Sequence, residues 1–245
     1  MGLKYWLNER RQIVKFYKDI YKHYFYSTIF SQGNSEYDAS IPIPKIIHYA
    51  WFGRGEMNAL LKKCMATWNI QLKDYKIILW NEDNFPFDKY PFAKQAYEQK
   101  KYAFVADVAR LHALYNYGGI YMDTDCEVIK SFDDLLNHDA FACYETPNLI
   151  SIGTVGAKKG HPWLKLMMQW YDCVDFSEDY AEIANTRIIS RMARLHYGVK
   201  LNGKKLVLPN NVWIYPREWF LPEPKDGKWL VSDDTYVVHH FTRLW

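Results

Sequence analysis

Two carboxylates, Asp123 and Asp125, stand one residue apart directly after the apolar run 120–122. If that segment stays extended, their spacing turns both side chains to one side. Two hard oxygen donors placed this way can hold Mg2+ or Mn2+, and the ion can in turn hold a diphosphate. A lone D-x-D triplet is more often a polar turn that caps the next element. Here it has company, because Asp107 and Arg110 share one face of the preceding helical stretch at i, i+3. As a surface ion pair they would be worth little. Asp107, however, sits inside the apolar run 104–111, where an unpaired charge is costly, so a buried functional role is at least as good a reading.

The elements that must position these groups can be read from the surrounding pattern. FVADVARLHALYNYGGIYMDTDCEV at 104–128 is a helix stopped by Gly118 and Gly119, then a short apolar strand that delivers the carboxylates at its carboxyl end. Short apolar runs alternating with helical periodicity predict an α/β domain. Strands are expected at 45–50, 76–79, 119–122, 140–144 and 151–156, and helices at 57–68, 92–98, 104–117, 162–173 and 180–197. After Asn202, short extended pieces are expected at 206–208, 212–215 and 236–239. His48 and His112 read as packed, hydrogen-bonded histidines, and Cys126 as a small packing residue. Trp51, after a strand and before Gly53, fits either a core position or a loop position free to stack on a ligand. His239 and His240 point to opposite faces if extended, so at most one of them reaches a metal.

With 245 residues and 49% hydrophobic content the chain can bury one sizeable core, and one compact domain over 41–245 is expected. Six basic residues against Glu9 and Asp19 make segment 1–30 +4, which leaves the rest of the +3 chain at −1. A body without basic surplus argues against nucleic acid as a partner. Segment 1–40 reads as an amphipathic, basic, aromatic helical extension with a linker, suited to a peripheral membrane contact through 1–30 or to packing on the domain. No apolar run approaches the roughly 20 residues of a membrane span. Cys64, Cys126, Cys143 and Cys173 form no CxxC pair, and a cytoplasmic protein is the expectation.

Several ordered motifs together resemble the DXD-containing sugar-nucleotide glycosyltransferases of the capsular-polysaccharide and yeast α-mannosyltransferase type, and more distantly the glucosyltransferase domains of the large clostridial toxins. They are IPKIIHYAWFG at 43–53, LWNEDNF at 79–85, AFVADVARLHALYNYGGIYMDTD at 103–125, NHDAF at 137–141, GAKKGHP at 156–162 and HHFTRLW at 239–245. The resemblance implies a GT-A fold, a Rossmann-like mixed sheet flanked by helices. It also implies Mn2+ or Mg2+, a UDP- or GDP-sugar donor and retention at the anomeric carbon. By position, Trp51 would stack on the base, Asp107 and Arg110 would hold sugar hydroxyls, and Tyr121 would line the donor pocket. Asp123 would approach the ribose and the metal shell, Asp125 would ligate the metal, His240 would complete the metal site, and Trp245 would close over the diphosphate and sugar. Two departures stand out: relatives often carry Ser where this chain has Leu244, and a Gly-Pro turn where it has Asn185 and Thr186.

The expected activity is therefore hexosyl transfer to a carbohydrate or lipid-linked saccharide acceptor, in surface polysaccharide or glycolipid synthesis, at the inner face of the membrane. Two other readings stay open. Phosphatases of the haloacid-dehalogenase type also place D-x-D after a strand, although they usually carry Thr or Val where Glu127 stands here. The second is a nucleotide-sugar binding module that has lost catalysis.

Overall fold

The computed structural model describes residues 37–177, 179 and 183–242. The extension predicted over 1–30 and Trp245 lie outside them. The elements in chain order are β1 (Ile46–Ala50), α1 (Ala59–Gln71), β2 (Lys76–Trp80), α2 (Pro91–Glu98), α3 (Tyr102–Tyr117), β3 (Gly119–Met122) and β4 (Cys126–Val128). They continue with β5 (Ala140–Thr146), β6 (Leu149–Ala157), α4 (Pro162–Asp172), α5 (Asn185–His196), β7 (Leu206–Leu208), β8 (Val212–Tyr215), β9 (Pro224–Lys225), β10 (Lys228–Trp229) and β11 (Val237–His239).

The main sheet runs in the order β2-β1-β3-β6-β5-β8-β7. Parallel pairing joins β1 to β2 and β3, while β6 runs antiparallel to both β3 and β5. The sheet is thus mixed, as expected for the fold class. Its parallel part brings the carboxyl ends of β1, β2 and β3 to one rim, where a ligand crevice belongs. β3 is buried at all four residues, which explains why its sequence is apolar rather than alternating.

Local chemistry sets the boundaries. Asn58 caps α1 by accepting from Leu61 N–H at 3.0 Å, so the helix begins two residues later than the apolar period suggested. Pro91 opens α2 at a position that needs no N–H. Gly118 ends α3 at φ +66°, a conformation that penalises a Cβ, and its own Cβ would also meet the Lys159 backbone at 2.8 Å.

One apolar cluster packs α2, α3, α4 and α5 on one face of the sheet, and a second lies on the other face with α1 and the β4/β11 ribbon. Trp68 of α1 is fully buried and donates its indole N–H to Cys126 O at 2.7 Å, which fixes β4 against the helix. His48 and His112 are buried as read. His48 Nδ1 accepts from Trp80 Nε1–H at 3.1 Å, which leaves Nε2–H to donate to Gly118 O at 2.8 Å. Burial lowers both histidines to about 4, so both are neutral near pH 7.

Candidate active site

The D-x-D segment is a turn between β3 and β4, with Cys126 N–H bonded to Asp123 O at 3.1 Å. This corrects the extended geometry expected from the spacing. The chain must leave the main sheet here, because β4 pairs with β11 instead of continuing beside β6. The two carboxylates therefore face different partners.

Asp123 faces α3. Its Oδ1 meets Arg110 Nη2 at 3.3 Å, and the same nitrogen meets Asp107 Oδ1 at 3.0 Å. Arg110 also donates Nη1–H to Ile152 O at 2.7 Å and lies 4.6 Å over the Tyr121 ring. Arg110 and Asp107 are both buried, so the helix pair is an interior one and its members are committed to the site. Burial raises Asp107 to about 6 against the opposing pull of Arg110 and Asn185. Burial also raises Asp123, again against Arg110. Asn185 at the start of α5 donates its side-chain amide to Asp107. The residue that departs from the relatives' Gly-Pro turn is thus built into the site.

Asp125 faces the C-terminal strand. Its Oδ1 pairs with His239 Nε2 at 2.9 Å, and its Oδ2 accepts from Thr242 N–H at 2.8 Å and Thr242 Oγ1–H at 3.0 Å. Burial works against its charge, but the bonds from His239 and Thr242 prevail and lower Asp125 to about 2. His239 is raised in turn: burial disfavours its charge, and the Asp125 bond and charge outweigh it.

The resemblance implies His240 as the residue that completes the metal site, whereas the imidazole that meets Asp125 in the structure is that of His239. His240 Nε2 lies 2.9 Å from Glu127 Oε2, and Trp229 packs edge-on against its ring. The two imidazoles thus meet different carboxylates, in keeping with the alternation of an extended segment. Which one meets Asp125 is decided by the register of β11 on β4, where His239 pairs with Cys126, and nothing in the HHFTRLW segment announces that register. Thr242 and Gly153 were also not legible as site residues. A Cβ on Gly153 would sit 2.8 Å from Asp123 Oδ2 and 3.3 Å from His239 Nδ1, so its missing side chain keeps open the space that these two groups share.

A divalent cation fits this set. His239 Nδ1 is buried and makes no hydrogen bond, an orphan position that a ligand would satisfy. Ligand atoms of Asp125, Cys126 and His239 lie within 4.8 Å of one another. Burial holds the Cys126 thiol far above its usual range, so it stays a neutral packing group beside Thr154. Asp123 Oδ2 and the unbonded His239 Nδ1 both face the space over Gly153 and are donor types that suit Mn2+ or Mg2+, with Asp125 held against the opposite ring nitrogen. Trp51 lies half-buried in the loop after β1, and its indole N–H donates to Gly55 O at 2.6 Å.

Residues 59–142 match the family described as glycosyltransferase sugar-binding region containing DXD motif. Inositol phosphoceramide mannosyltransferase 3 of Schizosaccharomyces pombe is 32% identical over 167 residues, 65% of this chain and 43% of that protein. Mannosyl phosphorylinositol ceramide synthase SUR1 of Saccharomyces cerevisiae is 31% identical over 128 residues, 49% of this chain and 32% of that protein. The chain thus spans less than half the length of these curated relatives. Among solved structures, PaToxG glycosyltransferase superposes with a TM-score of 0.50 at 17% identity, over 76% of this chain and 81% of that one. The comparisons thus match the region that carries the D-x-D motif, and with the mixed sheet they give the GT-A fold.

Proposed function

We propose that this chain, whose residues 59–142 are a DXD-containing sugar-binding region of the glycosyltransferase type, moves a hexose from a nucleotide diphosphate sugar to an acceptor hydroxyl. The observation that carries the reading is the buried Arg110, which bridges Asp107 and Asp123 beside the Asp125–His239 pair. Such a cluster, assembled from α3, the turn after β3, and β11, has no structural purpose that apolar packing would not serve as well.

The division of labour follows from the contacts. Arg110 fixes the rotamer of Asp123, so that Oδ1 is spent on the guanidinium and Oδ2 faces the space over Gly153. Asp107, held by Arg110 and Asn185, presents a carboxylate to sugar hydroxyls in a dry setting. Asp123 Oδ2 and His239 Nδ1 would hold Mn2+ or Mg2+, with Asp125 orienting the imidazole through Nε2, and the ion would neutralise charge on the leaving diphosphate. The acceptor hydroxyl itself is the nucleophile in this scheme. Retention then proceeds by attack on the face the diphosphate leaves, with a departing phosphate oxygen taking the acceptor proton.

The names of the curated relatives make mannose the first sugar, and a phosphoinositol-type sphingolipid the first acceptor, to test. A lipid-linked saccharide of a surface polysaccharide is the next. Nucleotide release from GDP-mannose, UDP-glucose and related donors, with Mn2+ and with chelator, tests the reading. Release that depends on both metal and acceptor is expected. Donor binding without release would point to an inactive binding module, and release of inorganic phosphate alone to a phosphatase.

A further inference from the structure

The rim formed by β1 and β2 carries a carboxylate that the proposed chemistry does not use. Glu82 follows β2 and reaches the loop after β1, where its Oε1 accepts from Gly53 N–H at 2.6 Å and from the Tyr97 hydroxyl at 3.1 Å. This ties the Trp51 loop to α2. The loop is fixed elsewhere too, because Trp51 N–H donates to Trp80 O at 2.9 Å and the Trp51 indole donates to Gly55 O. The Tyr102 ring of α3 fills the space beside Gly53. The neighbouring acid, Asp83, is paired with Arg54 at 2.5 Å. Glu82 makes no ion pair among the described residues, and none of them donates a hydrogen bond to its Oε2. A half-buried carboxylate with one oxygen anchored and the other free thus stands against the loop that carries Trp51.

We propose that Glu82 selects the base of the donor nucleotide and favours guanine over uracil. The inference rests on the nucleotide-sugar reading above and on Trp51 as the base platform. A carboxylate only accepts hydrogen bonds. Guanine offers two adjacent donors on one edge, the ring N1–H and the exocyclic amine, which a free carboxylate oxygen takes as charge-assisted bonds. Uracil offers one ring N–H flanked by two carbonyl oxygens, which the same carboxylate repels. Discrimination therefore arises from attraction to one base and repulsion of the other.

Calorimetric titration of GDP and of UDP, each with Mn2+, into the full chain and into Glu82→Gln and Glu82→Ala tests the assignment. The unsubstituted protein is expected to bind GDP roughly 10- to 100-fold more tightly than UDP, the range given by hydrogen bonds to a charged group. Glu82→Gln keeps a carbonyl oxygen for Gly53 and Tyr97 but places an amide donor where Oε2 was, so the preference moves toward UDP. Glu82→Ala weakens both nucleotides and loses the preference, with Glu82→Asp as the substitute should the alanine variant not fold. Equal affinity of the unsubstituted protein for the two nucleotides, or an unchanged ratio in Glu82→Gln, overturns the role of Glu82 alone. Absence of binding by either nucleotide overturns the nucleotide-sugar reading and this inference with it.

Discussion

Arg110 gathers oxygens from three elements: Asp107 on its own helix, Asp123 in the turn after β3, and Ile152 O on β6. Removing it leaves the buried Asp107 and the half-buried Asp123 without their guanidinium, and breaking a buried pair this way typically costs about 3–5 kcal/mol. Arg110→Ala should therefore lower the urea midpoint sharply, whereas Arg110→Lys keeps the charge, loses the planar fork, and should fold while transferring poorly. Asp125→Ala is expected to fold and to lose Mn2+-dependent donor turnover, because the residue is bonded only to the C-terminal strand and segment; near-normal turnover would remove the mechanism. His48 contributes a pH dependence whose sign is fixed by its depressed value. It stays neutral in the fold down to about 4, whereas the unfolded chain protonates near the ordinary 6.5. The stability it contributes is present above pH 6.5 and is lost as pH falls toward 4, by about 1.4 kcal/mol per pH unit at most. Urea titrations at pH 7.5 and 5.5 should show a smaller difference for His48→Gln than for the unsubstituted protein.

Among the elements, those with apolar runs or helical periodicity were legible, and so were the short extended pieces at 206–208, 212–215 and 236–239, but β4 was not. The predicted strand 119–122 coincides with β3, and α3 starts two residues before the predicted 104, because both are dictated by apolar runs and a glycine stop. β4 was invisible: three residues beside two carboxylates carry no pattern, and they become a strand only because β11 returns from over 100 residues away. The same long-range pairing decided that the imidazole of His239 and not that of His240 meets Asp125. Asp107 and Arg110, by contrast, were legible as a buried pair, because two charges inside an apolar helical run demand a partner. The β4/β11 ribbon therefore belongs to the site, and its C-terminal continuation more so, since Thr242 bonds Asp125 twice. Deleting 240–245 should cut donor turnover by orders of magnitude with little loss of melting temperature, because these residues follow the last core strand. A large fall in melting temperature with turnover retained would assign the segment to packing alone.

At the scale of the whole molecule, the point where residues 1–36 join the domain constrains what they can do. Lys158 is buried, paired with Asp139 at 2.5 Å, and donates to Ala39 O, while Gly160 packs against the Tyr37 backbone. Lys158 follows Ala157, which pairs with Gly119 at the start of β3, whereas the D-x-D turn lies at the other end of that strand. The N-terminal segment thus enters at the end of the sheet opposite the candidate active site. A membrane contact through 1–30 can serve a lipid-borne acceptor only if the segment runs back along the domain, and 36 residues suffice for this, since even as helix they span about 54 Å. At such a contact each basic residue would contribute ~1 kcal/mol near an anionic surface, so a +4 segment would give weak, salt-sensitive attachment. Co-sedimentation with vesicles of anionic lipid should retain the full chain at low salt and release it at high salt, and a version beginning at Tyr37 should stay in solution. Equal behaviour of the two proteins would mean that the segment packs on the domain, and the acceptor would then have to reach the D-x-D rim without help from residues 1–36.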